Sequence, residues 1–154
     1  MAKVEMKLPE EFQMKLSRLG NKTDEICEKV LEAGAEVAEA KVRSSLQAVI
    51  GSGIKVPSRS TGELLSSLGV SPVLQGKDGT LNTKVGFNEP RRVQTAAKGK
   101  RSYRESTNAM IANVLEYGKH GQPAKPFLKP AQRQAKAACL SAMKQTFEEE
   151  VKKI

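Results

Sequence analysis

The sequence predicts an α+β protein: two long helices packed against a small, mostly antiparallel sheet with a β-hairpin. Three observations predict it. Apolar residues recur at helical spacing in one long stretch before residue 50 and in another after residue 130. Between them, Val70, Val73, Leu74, Leu81, Val85 and Phe87 lie on either side of a turn sequence, Gly76-Lys77-Asp78-Gly79. The long stretches are set off by Gly51-Ser52-Gly53 and by the Pro126–Pro130 segment, which interrupt helices. A chain of 154 residues makes a single domain, 1–154.

The elements follow in order. Phe12, Leu16 and Leu19 suggest a short amphipathic helix after Pro9. The first long helix should begin at Thr23, a capping residue followed by Asp24 and Glu25 at the positive helix end. Ile26, Val30, Val37, Val42, Leu46 and Val49 carry it to Ile50. Ala33, Ala35, Ala38 and Ala40 add a small-residue stripe suited to close packing on another helix. Thr61 is placed to cap a short helix, Gly62 to Leu68, and Pro72 marks the first strand as an edge strand or one that begins late. Asn108 to Tyr117 forms a shorter helix. The second long helix should run from Pro130 nearly to Ile154. Ala131, Ala135, Ala138, Cys139, Ala142, Met143, Phe147 and Val151 form its stripe.

The segment from Leu115 to Ala131, LEYGKHGQPAKPFLKPA, reads as a helix end, a constrained loop and a helix start. Gly118 can take the left-handed conformation that closes a helix. Pro123, Pro126 and Pro130 fix φ and withdraw three backbone donors. Phe127 and Leu128 are large apolar residues in an otherwise polar loop, so with Tyr117 they are candidate core or interface anchors.

This segment carries a resemblance. Glu116-Tyr117-Gly118 followed by Ala124, Pro126, Phe127, Leu128, Pro130 and Ala131 resembles the head–tail joining proteins of tailed bacteriophages. These are the neck or tail-completion proteins of long-tailed phages and prophages, some of them called minor capsid proteins. Thr61 to Val70, TGELLSSLGV, resembles an upstream segment of the same family that leads into a hairpin, ending here near Val85-Gly86. The resemblance implies a structural role in the virion neck, joining the tail to the DNA-filled head or completing the tail. It also implies a homo-oligomer, commonly a hexameric ring, beside neighbouring neck, tail-terminator or tail-tube proteins.

The resemblance implies a virion protein made in the bacterial host cytoplasm, and the composition by itself suggests a cytoplasmic origin. The hydrophobic share is 38% and the aromatic share 4%, so the core is modest. No apolar run reaches the roughly 20 residues that span a bilayer, and MAKVEMKLPEEF lacks a signal-peptide core. Cys27 and Cys139 read as buried free thiols, with a disulfide between them the less favoured alternative. No catalytic, cofactor or metal site is expected. His120 stands in a Gly-flanked loop without a second ligand at useful spacing, and Glu116 has no acidic partner nearby in sequence. Gly51-Ser52-Gly53 follows a helix, whereas a phosphate-binding loop follows a strand.

The strongest charge feature is RRVQTAAKGKRSYR, Arg91 to Arg104. It holds Arg91, Arg92, Lys98, Lys100, Arg101 and Arg104 and no acid, in a chain of net charge +9. It has no apolar periodicity, so a mobile loop at about 88–106 is expected. It reads either as a solvated surface loop or as a DNA-facing loop. In the latter, Lys and Arg would touch phosphates without regard to sequence. The competing function is a small basic nucleic-acid-binding module, which this chain would have to be without helix-turn-helix, zinc spacing or an aromatic-rich sheet.

Overall fold

The computed structural model describes residues 10–53, 62–88, 91–97 and 100–154. Its elements are α1 (Glu10–Val49), α2 (Glu63–Ser66), β1 (Leu68–Val70), β2 (Leu74–Gln75), β3 (Leu81–Asn82), β4 (Val85–Phe87), β5 (Arg91–Ala97), β6 (Lys100–Ser106), α3 (Asn108–Tyr117) and α4 (Leu128–Lys152). This is the expected α+β arrangement, with two long helices and short antiparallel strand pairs.

The first helix is longer than its pattern predicts. α1 runs unbroken for 40 residues, about 60 Å at the usual rise. Thr23 does not cap it. Its hydroxyl donates back to the Leu19 carbonyl at 2.8 Å, the way a threonine is accommodated inside a helix. The side chains of Phe12 and Leu16 lie outside the described residues, whereas Leu19 is half-buried.

α1 and α4 pack antiparallel. At one end Lys29 meets Glu150 at 2.6 Å. In the middle Gly34 lies so close to α4 that a Cβ there would stand 2.8 Å from Met143 Cγ. At the other end Leu46 and Ala131 share the core. Hydrogen bonds from Lys153 and Lys29 hold the Glu150 carboxyl down to about 2. The α4 stripe is narrower than expected. Ala131 and Ala135 are buried and Ala142 and Met143 half-buried, but Ala138 and Phe147 are exposed. The small residues set the approach, and Leu140 and Phe147 face outward. Cys27 and Cys139 are free and half-buried rather than buried.

The central hairpin is split. β1 pairs with β4 (Leu68 with Phe87, Val70 with Val85), and β2 pairs with β3 (Leu74 with Asn82, Gln75 with Leu81). Pro72, which has no N–H, falls in the gap between them. Side chains splice the gap: Thr83 Oγ1 donates to the Ser71 carbonyl at 2.8 Å, and Ser71 Oγ accepts from Lys84 N at 2.9 Å. At the tip, Asp78 Oδ1 accepts from Thr80 Oγ1 at 2.7 Å, and Gly79 takes φ +82°. α2 is shorter than its pattern. Gly62 caps it at φ +76°, and the chain is already strand at Leu68; Thr61 lies outside the described residues.

The core gathers where the elements meet. Val42, Leu46, Leu64, Leu68, Ala112, Phe127 and Ala131 form it, with Phe87, Leu115 and Leu128 packed around them. Arg43 clamps one side. It donates to Glu39 Oε1 at 2.8 Å and to the carbonyls of Leu65 and Leu68, both at 3.2 Å, tying α1 to the α2–β1 segment.

Phe127 and Leu46 are the largest side chains fully removed from solvent. Phe127 also meets the Phe87 ring edge-on, with centroids 6.1 Å apart. Phe127→Ala should therefore cost roughly 3–5 kcal/mol in chemical denaturation. An unchanged unfolding midpoint would contradict this placement.

Candidate functional site

The candidate site is built around the junction between α3 and α4. α3 starts with Thr107, whose hydroxyl accepts from Met110 N at 3.1 Å, and it ends at Gly118. Gly118 does not adopt the left-handed helical conformation expected of it. It lies at φ +77°, ψ 179°, an extended positive-φ region populated essentially by glycine alone. A Cβ there would also stand 2.8 Å from both Ala124 N and the Gln122 carbonyl oxygen. The loop then doubles back. Lys119 and Gln122 exchange backbone hydrogen bonds, and Lys125 N donates to the Leu115 carbonyl at 2.7 Å. The Lys125 ammonium reaches the Ser52 carbonyl at the end of α1.

Glu116 is the residue that sequence reasoning missed. It is 3% exposed, and its carboxylate spans the junction. Oε2 accepts from Phe127 N at 2.8 Å and Leu128 N at 2.9 Å; Oε1 accepts from Lys129 N at 3.1 Å. Those are the amides left without intrahelical partners at the start of α4. The next residue, Pro130, has no amide to satisfy, and Ala131 N already reaches the Phe127 carbonyl at 3.2 Å. Every donor of that helix start is accounted for. Phe127, the capping residue, makes no side-chain cap of its own, because its ring is buried in the core. The cap is supplied instead by a carboxylate 11 residues earlier. Pro130 is thus the third residue of α4 rather than the first.

Burial raises the Glu116 carboxyl. The amides of Leu128, Phe127 and Lys129 and the Lys129 charge oppose burial and prevail, holding the carboxyl below its ordinary value of 4.5. The other candidate anchors divide. Leu128 is half-buried beside the core, whereas Tyr117 is 65% exposed, with the Lys129 ammonium 4.9 Å from its ring centroid.

The basic segment is a two-stranded ribbon rather than an irregular loop. β5 and β6 pair antiparallel from Arg91↔Ser106 to Ala97↔Lys100. The register explains how so many bases share one ribbon. Arg91 is opposite Ser106, Arg92 opposite Glu105, Arg104 opposite Val93, Arg101 opposite Ala96 and Lys100 opposite Ala97. No two bases stand directly across from each other, so the like-charge penalty of a cross-strand pair is avoided. Lys98 lies outside the described residues.

His120 is exposed in its loop. Among the described residues no group of three or more His, Cys, Asp or Glu could hold a metal ion. No helix there is long and apolar enough to cross a membrane.

A family model described as "Bacteriophage HK97-gp10, putative tail-component" matches residues 10–118, well over half of the chain. The match takes in TGELLSSLGV and Glu116-Tyr117-Gly118 and stops before the Pro126–Pro130 segment. No significant match was found among curated proteins or among solved structures.

Two outcomes are expected at the junction. Glu116→Gln keeps one acceptor oxygen but loses the charge, and should cost roughly 1–3 kcal/mol at neutral pH. Because the folded carboxyl is depressed, its contribution is fully present above the ordinary value of 4.5 and is lost as pH falls through the lower folded value. Melting curves at stepwise lower pH should therefore converge for wild type and Glu116→Gln; a constant gap would contradict the charged cap. Gly118→Ala should lower stability by about 2 kcal/mol or more, measured by denaturant midpoint.

Proposed function

The chain belongs to the HK97-gp10-like family of bacteriophage tail components, and from that premise we propose that it is a structural protein of the phage neck. In this reading it joins the tail to the DNA-filled head, or completes the tail, as one subunit of an oligomeric ring around the DNA channel. Its work is assembly by surface complementarity, with no covalent chemistry. Its partners are further copies of itself, in a hexameric ring, and the adjoining neck, tail-terminator or tail-tube proteins.

One observation beyond the family carries the reading: the subunit leaves large apolar side chains on several separate faces. Leu74 on the hairpin, Met110 on α3, and Leu140 and Phe147 on α4 are each about half exposed, between 48% and 56%. A ring contact is heterologous, so each subunit needs two different complementary surfaces. Apolar residues on distinct faces suit that requirement better than one self-complementary patch would.

The basic ribbon is proposed to face the DNA path. Arg91, Arg92, Lys98, Lys100, Arg101 and Arg104 would make phosphate contacts blind to sequence, as a conduit for a whole genome requires. A two-stranded ribbon has the reach to project such charges without a core of its own.

Replacing those six residues by Gln should leave the melting temperature of the isolated subunit near wild type while reducing DNA retention in assembled particles. Any duplex binding by the wild type should fall steeply with salt. The slope of log K against log salt should flatten by roughly 0.9 for each phosphate contact removed. Unchanged DNA retention would end the DNA-facing proposal. Tight, saturable duplex binding by a monomer at moderate salt would favour a nucleic-acid-binding module instead.

A further inference from the structure

We infer that the contact between adjacent copies is made by two charged helix ridges: the acidic outer ridge of α1 in one copy and the basic outer ridge of α4 in the next. The inference rests on the proposed assembly of like subunits and specifies which surfaces meet.

The first ridge consists of Glu25, Glu28, Glu32 and Glu36, all exposed. Their spacing of three, four and four residues places them on one face of α1. Glu39 continues the row and is already engaged by Arg43. The only base between Asp24 and Glu39 is Lys29, and it is tied to Glu150 of α4. This face therefore presents a run of carboxylates along ~21 Å of helix, met at its two ends by Lys29, whose charge acts on Glu25, and by Arg43, which holds Glu39.

The second ridge consists of Lys129, Arg133, Lys136, Leu140, Lys144 and Phe147, spaced four, three, four, four and three residues apart. All are exposed, Leu140 at 50% and Phe147 at 48%. No acid occurs in α4 before Glu148. The bases extend over ~22 Å, matching the acidic run in length and repeat.

The subunit engages these ridges only at their ends, with Lys129 over the Tyr117 ring and Arg43 on Glu39. α1 and α4 touch through Gly34 and Met143, and both ridges lie on exposed sides of their helices. Like charges aligned at i,i+4 repel, so each ridge costs its own helix some stability. An opposing ridge of opposite sign relieves that repulsion in both partners. The chain thus carries two different, mutually complementary faces. A contact between them is head-to-tail, the kind that generates a ring where its rotation closes. Leu140 and Phe147 supply the apolar area that charge pairs alone lack.

The test is charge reversal read by sedimentation across salt concentrations. Two variants are needed: Glu25→Lys/Glu28→Lys/Glu32→Lys/Glu36→Lys, and Arg133→Glu/Lys136→Glu/Lys144→Glu. Each alone should weaken self-association by roughly a hundred-fold at low salt while the monomer stays folded by circular dichroism. An equimolar mixture of the two should assemble again, because the lysine ridge of one meets the glutamate ridge of the other. A chain carrying both sets should also self-associate. Assembly of either single variant at wild-type strength overturns the inference but leaves a ring built on other surfaces. Loss in both without rescue in the mixture also overturns it, because the ridges then do not face each other. If neutralising Arg91, Arg92, Lys100, Arg101 and Arg104 abolishes self-association while reversing α4 does not, the acidic ridge receives the ribbon and the inference fails. A wild type that stays monomeric at every concentration removes the copy-to-copy contact itself, and with it the ring reading for the isolated chain, without touching family membership.

Discussion

The three hydrogen bonds accepted by Glu116 are the constraint on which the rest of the fold depends. α4 has to start with a buried Phe127, because that ring closes the core between α1, the hairpin and α3. A buried aromatic at the capping position cannot also cap. The buried Phe127 amide would then be stranded away from water, at a cost of about 1–3 kcal/mol, and those of Leu128 and Lys129 would lose their acceptor. Glu116 removes that conflict by reaching across from the last turn of α3. The reach requires the chain to fold back tightly after Tyr117. That in turn requires Gly118 in a backbone region closed to other residues. The Glu-Tyr-Gly and Pro-Phe-Leu-x-Pro segments are therefore two halves of one device, and neither works without the other.

The device also explains how a modest core suffices. The core cluster is small, α1 extends well past it, and of the other buried apolar residues Ile26 and Ala35 lie along α1 and Ala135 on α4. The two long helices are held elsewhere by close approach at Gly34 and by polar ties such as Lys29 to Glu150. Exposed ties of that kind contribute little individually. The orientation of α4 is set by its packing along α1 and, at its capped end, by burial and hydrogen bonding together. Errors in that orientation would grow along the helix, so a fixed junction governs the position of its outer face.

Much of this was legible in the sequence, and the exceptions have physical reasons. Helical periodicity located both long helices and α3, whose limits at Asn108 and Tyr117 match the pattern. Thr23 misled because a threonine followed by acids looks the same whether its hydroxyl caps a helix or bonds back inside one. The ribbon was invisible to periodicity because its sequence carries no alternating apolar residues. Its signal lay in the cross-strand register, which keeps bases apart and cannot be seen before the pairing is known. Glu116 looked like a lone carboxylate because its partners are backbone amides, which leave no trace in side-chain patterns. A signal did exist: a helix start with an apolar residue where a Ser, Thr, Asp or Asn is preferred implies an acceptor from elsewhere. Phe127 before Leu128-Lys129-Pro130 poses that question, and Glu116 answers it.

The net charge of +9 conceals a partition that the fold makes visible. Carboxylates concentrate on the outer side of α1, and bases on the ribbon and the outer side of α4. A protein that needed only solubility would intersperse its charges, since blocks of one sign destabilise the helices that carry them. Segregation is sustained more readily when the blocks meet partners. Two basic surfaces and one acidic surface on the same subunit leave an excess of positive charge once copies pair through their helices. The ribbon carries that remainder, and a polyanion is the partner that would neutralise it. In the proposed reading, pairing between copies and attraction to DNA would be two uses of one charge distribution, divided between a helix face and a ribbon.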